Sequence, residues 1–246
     1  MSSVSPASTV KVCILDNDHL DPAVADTYVS YGVMTEKMFA AAGVPWQFER
    51  FDTTQGVYPD SFDDFDVVLL TGSKADSFSD EPWVQILRKH VTELLKQRKT
   101  LLGICFGHQL IAHCLGAKVD RAPNGWGMGR MAYDWVGPSP LKAASADTSI
   151  NLLASHQDQV LSLPVGAVLQ ARSDFCPIAA YSIDDHVFCV QPHPEFIAAY
   201  SAYLLDKRRE RIGEDHYTTA RAGLALPHDG LEIARFMQAF VERSRA

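Results

Sequence analysis

Two short stretches carry side chains whose types and spacing could do covalent chemistry. The first is Thr100-Leu101-Leu102-Gly103-Ile104-Cys105-Phe106-Gly107-His108-Gln109-Leu110-Ile111: an apolar run, a cysteine between two glycines, and a helix-like segment. A residue at a sharp strand-to-helix turn sits in a strained backbone conformation, and small neighbours let strand and helix pack closely. Such a turn lifts the side chain above the sheet edge. The positive N-terminal end of the following helix favours a thiolate there. Read this way, the stretch is a nucleophile elbow built on Cys instead of Ser. The competing reading is packing, because cysteine is among the most buried residue types and often ends an apolar strand.

The second stretch is Gln191-Pro192-His193-Pro194-Glu195-Phe196. A cysteine nucleophile needs a base, and the base needs an orienting group. On an extended segment residues i and i+2 point the same way, so Glu195 can accept a hydrogen bond from the His193 ring. Taken alone, a histidine beside a proline is more often a surface or packed residue. The two stretches lie far apart in sequence, so the fold must bring them together. A third candidate is Gly72, which follows the apolar run Phe65–Thr71. A glycine at a strand exit can present backbone N–H groups to a developing negative charge, although a plain turn glycine fits the same pattern.

The elements that must position these groups follow from periodicity. Val10–Leu15, Trp46–Phe51, Phe65–Thr71 and the run before Cys105 read as strands, with helices over Tyr31–Ala42, Pro82–Arg98 and from Gly107 to Leu115. Trp83, Ile86, Leu87, Val91, Leu94 and Leu95 form the apolar stripe expected of the long helix. Asp16-Asn17-Asp18 ends the first strand as a polar turn or as part of a site. This alternation predicts an α/β fold: a mostly parallel sheet in a flavodoxin-like three-layer sandwich, with chemistry at the carboxyl ends of the strands. From Ala117 the texture changes. Ala117–Arg121, Arg130–Val136, Ile150–Ala154, Val168–Arg172, Ile178–Ile183 and Val187–Gln191 read as short strands, an antiparallel portion appended to the parallel core. Gly125-Trp126-Gly127-Met128-Gly129 does not join a strand to a helix and so is not a dinucleotide fingerprint. Ile197–Arg211 reads as a helix, Gly213–Pro227 as a polar hinge, and Leu231–Arg243 as a final amphipathic helix. The expected division is a disordered tail over 1–9, one domain over 10–200, and a helical extension over 201–246 packed on the same domain.

Composition narrows the classes. The 246 residues are 47% hydrophobic and 21% charged, ordinary for a globular chain with a full core. The net charge of −8 argues against nucleic acid or an anionic membrane as a partner. Five cysteines without C-x-x-C spacing argue against a disulfide framework or a structural zinc site and fit a reducing cytoplasm. There is no signal-peptide pattern and no membrane span. No residue pattern calls for a metal or a cofactor.

Gly103-Ile104-Cys105-Phe106-Gly107-His108-Gln109 together with Gln191-Pro192-His193-Pro194-Glu195 resembles the class I (triad) glutamine amidotransferase family over roughly Val10 to Tyr200. Ser155-His156-Gln157-Asp158-Gln159-Val160 is similar to a segment of the GMP-synthase branch. The free-standing γ-glutamyl peptidases look closer still, through Thr71-Gly72-Ser73 and Asp76-Ser77-Phe78 as well. The resemblance implies that Cys105 attacks a γ-glutamyl carbonyl, that His193 relays protons and that Glu195 orients it. It implies an oxyanion hole from the backbone of Phe106 and of the Gly72-Ser73 turn. Gln109 and Gly129 would lie at the substrate's amino-acid head. Pro192, Thr71-Gly72-Ser73 and Gln157 depart from the usual family pattern and bear on substrate details. The implied partner is a small γ-glutamyl substrate, cleaved through a Cys-bound thioester. The alternatives are a glutaminase subunit feeding ammonia to a separate synthase, and a non-catalytic binding module on the same fold. No acceptor domain is expected after Tyr200. A hydrolase of the α/β-hydrolase type is disfavoured, because there the acid precedes the base.

Overall fold

The computed structural model describes residues 9–137 and 149–245; most of the expected tail lies outside the described residues. Five strands run parallel in the order β2 (Gln47–Asp52), β1 (Lys11–Asp16), β3 (Val67–Leu70), β4 (Thr100–Ile104) and β11 (Val187–Val190). The sheet continues antiparallel through β10 (Ala180–Ile183), β9 (Ala167–Arg172), β6 (Gly127–Trp135) and β7 (Ser149–His156), nine strands in one sheet. A separate antiparallel pair joins β5 (Val119–Arg121) to β8 (Asp158–Val160). The central strands β3 and β11 are buried at every position, as strands covered on both faces must be. The edge strand β2 is charged and exposed, which discourages pairing with another chain.

Period-two alternation sends neighbouring side chains to opposite faces. Val12 and Ile14 face α2 (Tyr31–Ala41) and α7 (Gly230–Ser244), whose Phe236, Met237 and Phe240 fill that layer. Phe236 packs on Phe188 at 4.5 Å and on Trp135 at 4.8 Å. Cys13 and Leu15 face α3 (Pro82–Lys96) and α4 (Phe106–Cys114). In α3 the buried stripe is Val84, Leu87, Val91 and Leu94. Ile86, expected within it, is 42% exposed, because the helix is rotated so that Val84 takes the inward position.

The polar hinge expected over Gly213–Pro227 is instead largely helical. After α5 (Ala198–Ile212), Gly213 at φ 81° breaks the helix, and α6 (Glu214–Gly223) begins with Glu214 and Asp215 in its first turn. Its signal is weak because Ala220 is its single fully buried residue. A further short helix, α1 (Pro22–Tyr28), is capped by the Asp21 side chain and opens on proline.

Two buried histidines make the fold acid-sensitive. Burial pushes the rings of His108 and His156 down to about 3, and repulsion from a neighbouring ring, His156 and His193 respectively, disfavours their protonation further. An unfolded chain restores the ordinary value of 6.5. The unfolded state therefore takes up protons that the folded state refuses, and stability falls as pH drops from 6.5 toward 3. Between pH 7 and pH 5 each histidine should lower the unfolding free energy by about 2 kcal/mol. Urea titrations at both pH values should show a drop smaller by that amount in His108→Gln; an unchanged drop would refute the assignment.

Candidate active site

Cys105 sits between the end of β4 and the start of α4 at φ 51°, ψ −100°, a conformation that costs a non-glycine residue about 1–3 kcal/mol. Its N–H bonds to Val190 O at 2.9 Å, and its carbonyl accepts from Gln109 N at 3.0 Å. Both flanking glycines are required by close approach. A Cβ on Gly103 would stand 2.8 Å from the Gly107 carbonyl carbon, and one on Gly107 would stand 2.5 Å from Leu70 O. The elbow expected from sequence is thus present, with Cys105 only 4% exposed.

The backbone N–H of His193 donates to Leu153 O at 2.8 Å, which ties the histidine to β7. Its Nδ1 lies 2.7 Å from Glu195 Oε1, and its ring stacks on Phe196 at 3.9 Å with planes 12° apart. Ring and carboxylate are both buried. Burial opposes a charge on the ring, but Glu195 and the neighbouring Cys105 sulfur outweigh it and push the His193 ring up, to about 10. Gly72 lies between nucleophile and base: a Cβ there would stand 2.6 Å from His193 Cε1 and 3.7 Å from Cys105 Cβ.

The loop carrying Gly72 is held from several sides. Asn17 N donates to Thr71 Oγ1 at 2.9 Å, and Asn17 Nδ2 to Thr71 O at 3.1 Å. Asp18 accepts from Lys74 N at 2.8 Å and pairs with its Nζ at 2.8 Å. Asp76 pairs with Arg121 at 2.8 Å, and Arg121 also holds Asp158. The polar turn at Asp16–Asp18 therefore braces this loop, a role its sequence gave no means to distinguish from an ordinary turn.

Cys105 and Gln109 open on a cavity of about 190 Å³. Gln109 Nε2 donates to Asp158 O at 2.9 Å and to Gln191 Oε1 at 3.1 Å, so it also cross-braces the two catalytic-candidate stretches. Gly129, at φ 79° in β6, is elsewhere: its Cβ position is closed by Ala220 Cβ of α6 at 2.8 Å, and it is not among the residues lining the cavity. Sequence reasoning missed Lys74, Arg121, Trp126, Arg208 and Arg211 in the walls. Arg208 and Arg211 stand at i and i+3 on α5, a spacing that puts both on one helix face and was the available signal. Among the described residues no group of three or more His, Cys, Asp or Glu is placed to hold a metal ion, and no helix is long and apolar enough to cross a membrane.

The family profile described as glutamine amidotransferase class-I matches residues 23–206. The chain is 35% identical over 180 residues to gamma-glutamyl peptidase 3 of Arabidopsis thaliana, covering 70% of this chain and 72% of that protein. It is 35% identical over 105 residues to the glutamine-hydrolyzing GMP synthase of Clostridium perfringens, covering 42% of this chain and 20% of that protein. The crystal structure of a glutamine amidotransferase from Thermotoga maritima superposes with a TM-score of 0.73 at 21% identity, covering 96% of this chain and 97% of that one, and so shares the fold.

The geometry predicts what Glu195→Gln does. The variant keeps an acceptor of the same size and loses the charge that raises the His193 ring. Burial then acts less opposed, and the ring should titrate lower by about one to three units in an NMR pH titration. An unchanged titration would mean that Glu195 does not set the charge of His193.

Proposed function

The chain belongs to the glutamine amidotransferase class-I family, and from that premise we propose that it hydrolyses a γ-glutamyl amide through a thioester on Cys105. The observation that carries this reading is the meeting of a strained, helix-capped cysteine with a buried His193–Glu195 pair across the gap left by Gly72.

The Cys105 thiolate attacks the γ-carbonyl carbon. A C–S bond forms, and the carbonyl electron pair moves onto oxygen. The backbone N–H of Phe106, at the start of α4, and those of the Gly72-Ser73 turn stabilise that oxyanion. On collapse the C–N bond breaks, and the His193 imidazolium gives its proton to the departing amine. Water then attacks the thioester, and His193 takes one of its protons. Glutamate leaves, and the thiolate–imidazolium pair is restored. Glu195 keeps the ring oriented in both halves. Gln109 frames the end of the cavity that receives the glutamyl head.

A γ-glutamyl peptide is the favoured substrate, because the peptidase relative is matched along most of both chains, whereas the synthase is matched over a fifth of its length. The test is incubation of purified protein with glutamine and, separately, with glutathione, following glutamate, ammonia and released dipeptide. Peptide cleavage that falls by about three orders of magnitude or more in Cys105→Ala is the expected outcome. Ammonia from glutamine alone would point to a glutaminase subunit with a separate acceptor partner. Equal rates in wild type and variant would refute the nucleophile assignment. Gly72→Ala should fold normally by circular dichroism yet lose about a hundredfold in kcat/KM, since its methyl group displaces the His193 ring.

A further inference from the structure

The cavity at Cys105 adjoins a second one of about 650 Å³, and Lys74, Arg208 and Arg211 line both. The second cavity lies on the His193 side. Its wall includes Tyr31, whose ring stands 6.1 Å from the His193 ring and stacks on Phe196 at 5.8 Å. The end of the first cavity lined by Gln109 and Ser155–Asp158 is built from other elements.

Five cations line the joined cavities, and three are neutralised. Lys74 is held by Asp18, Arg121 by Asp76 and Asp158, and Lys207 by Asp21. Those four carboxylates are the acidic side chains in the walls. Arg208 and Arg211 have no carboxylate partner among the described residues. Arg208 is half-buried, its guanidinium lies 5.0 Å over the Trp126 ring, and its Nη1 is buried with no hydrogen-bond partner among the described residues. The indole steadies the guanidinium without occupying its N–H donors. A buried donor left open at the mouth of a site is costly unless a ligand satisfies it.

We infer that Arg208, assisted by Arg211, binds a free carboxylate on the amine portion of the substrate, so that the enzyme prefers γ-glutamyl amino acids, and peptides whose terminal carboxylate reaches this pair, over glutamine. This rests on the reading of Cys105 and His193 given above. The amine departs on the side of the group that protonates it, which is His193, and Arg208 stands where the first cavity opens toward that side. An amino acid joined through its nitrogen to a γ-glutamyl carbonyl carries its own carboxylate one carbon beyond that nitrogen. Glutamine offers no such group. A planar guanidinium fork matches a carboxylate in two parallel hydrogen bonds. Arg208 and Arg211 are therefore specificity-determining residues for the leaving group.

The test compares γ-glutamyl-alanine with γ-glutamyl-alanine amide, which differ only in that charge. In the wild type the acid should be favoured about tenfold or more in kcat/KM, equivalent to about 1.4 kcal/mol. Arg208→Met should bring the ratio near one, Arg208→Lys should retain part of it, and Arg211→Gln, at an exposed position, should lower it several-fold. A folding defect scales both substrates equally and leaves the ratio untouched. Equal handling of acid and amide by the wild type overturns the inference. So does a loss in Arg208→Met that is the same for both, because Arg208 would then hold the glutamyl portion or the fold. Calorimetry of both ligands with Cys105→Ala separates this from the hydrolase reading. Selective binding of the acid, lost in Cys105→Ala/Arg208→Met, sustains the subsite even if the wild type turns nothing over. Absence of both turnover and selective binding sinks both.

Discussion

The arrangement depends on one close approach, that of α4 to the end of β3 at Gly107 and Leu70. A single methyl group on Gly107 would come within 2.5 Å of Leu70 O. That contact fixes how near the helix N-terminus comes to the sheet, and hence where Cys105 is held. It also fixes the start of the loop that follows Leu70, because Thr71 and Gly72 are the next two residues. Nucleophile and anion-stabilising loop are thus set by the same contact. Backbone sterics do the positioning here, and the polar braces from Asn17 and Asp18 keep the loop from relaxing away.

The other half of the site is tied to the first by a buried amide. Gln109, one turn into α4, donates to Gln191, two residues before His193. A side chain expected at the substrate's head group also carries the register between nucleophile strand and base strand. Substitution of Gln109 would act on both at once, so its kinetic effect alone could not be assigned to binding.

The parts that were legible in the sequence are those encoded within a few residues. The elbow is legible because its two glycines are demanded by local backbone geometry, and Glu195 because it is two residues from His193, although the chain makes that contact through a turn at Pro194-Glu195 and not along the extended segment expected. The parallel core of β1, β2, β3 and β4 was legible in the alternation of strands and helices, whereas β11, which reads as part of the antiparallel portion, pairs parallel to β4. What could not be read depends on contacts between distant segments. α6 reads as a hinge in the sequence because a helix that buries one residue leaves almost no periodic trace. Gly129, which the family pattern places at the head group, combines a positive φ with close packing against Ala220, a contact between segments far apart in sequence. Arg208 and Arg211, which line the cavity, come from α5, whose sequence reads as a helix without showing that this face meets the site. Composition misleads in the same way: a chain with a net charge of −8 surrounds its cavity with more cations than carboxylates, because charge at a site is set by which residues the fold gathers.

The His193–Glu195 pair explains why such a site would wait for its substrate. Glu195 is buried, and its Oε2 has no partner among the described residues, so His193 is the neutralising contact of that carboxylate. Deprotonating the ring would leave a buried negative charge with weaker compensation, which is the physical reason the ring holds its proton well above the usual histidine range. In the proposed reaction the ring gives up that proton only when a strongly basic group arrives beside it, and the amine released from the tetrahedral intermediate is such a group. Loss of the proton then makes the ring a base strong enough to activate water, because the same carboxylate favours its return to imidazolium. One buried ion pair accordingly drives both proton transfers in opposite directions, and the timing is set by which group occupies the space on the His193 side of Cys105.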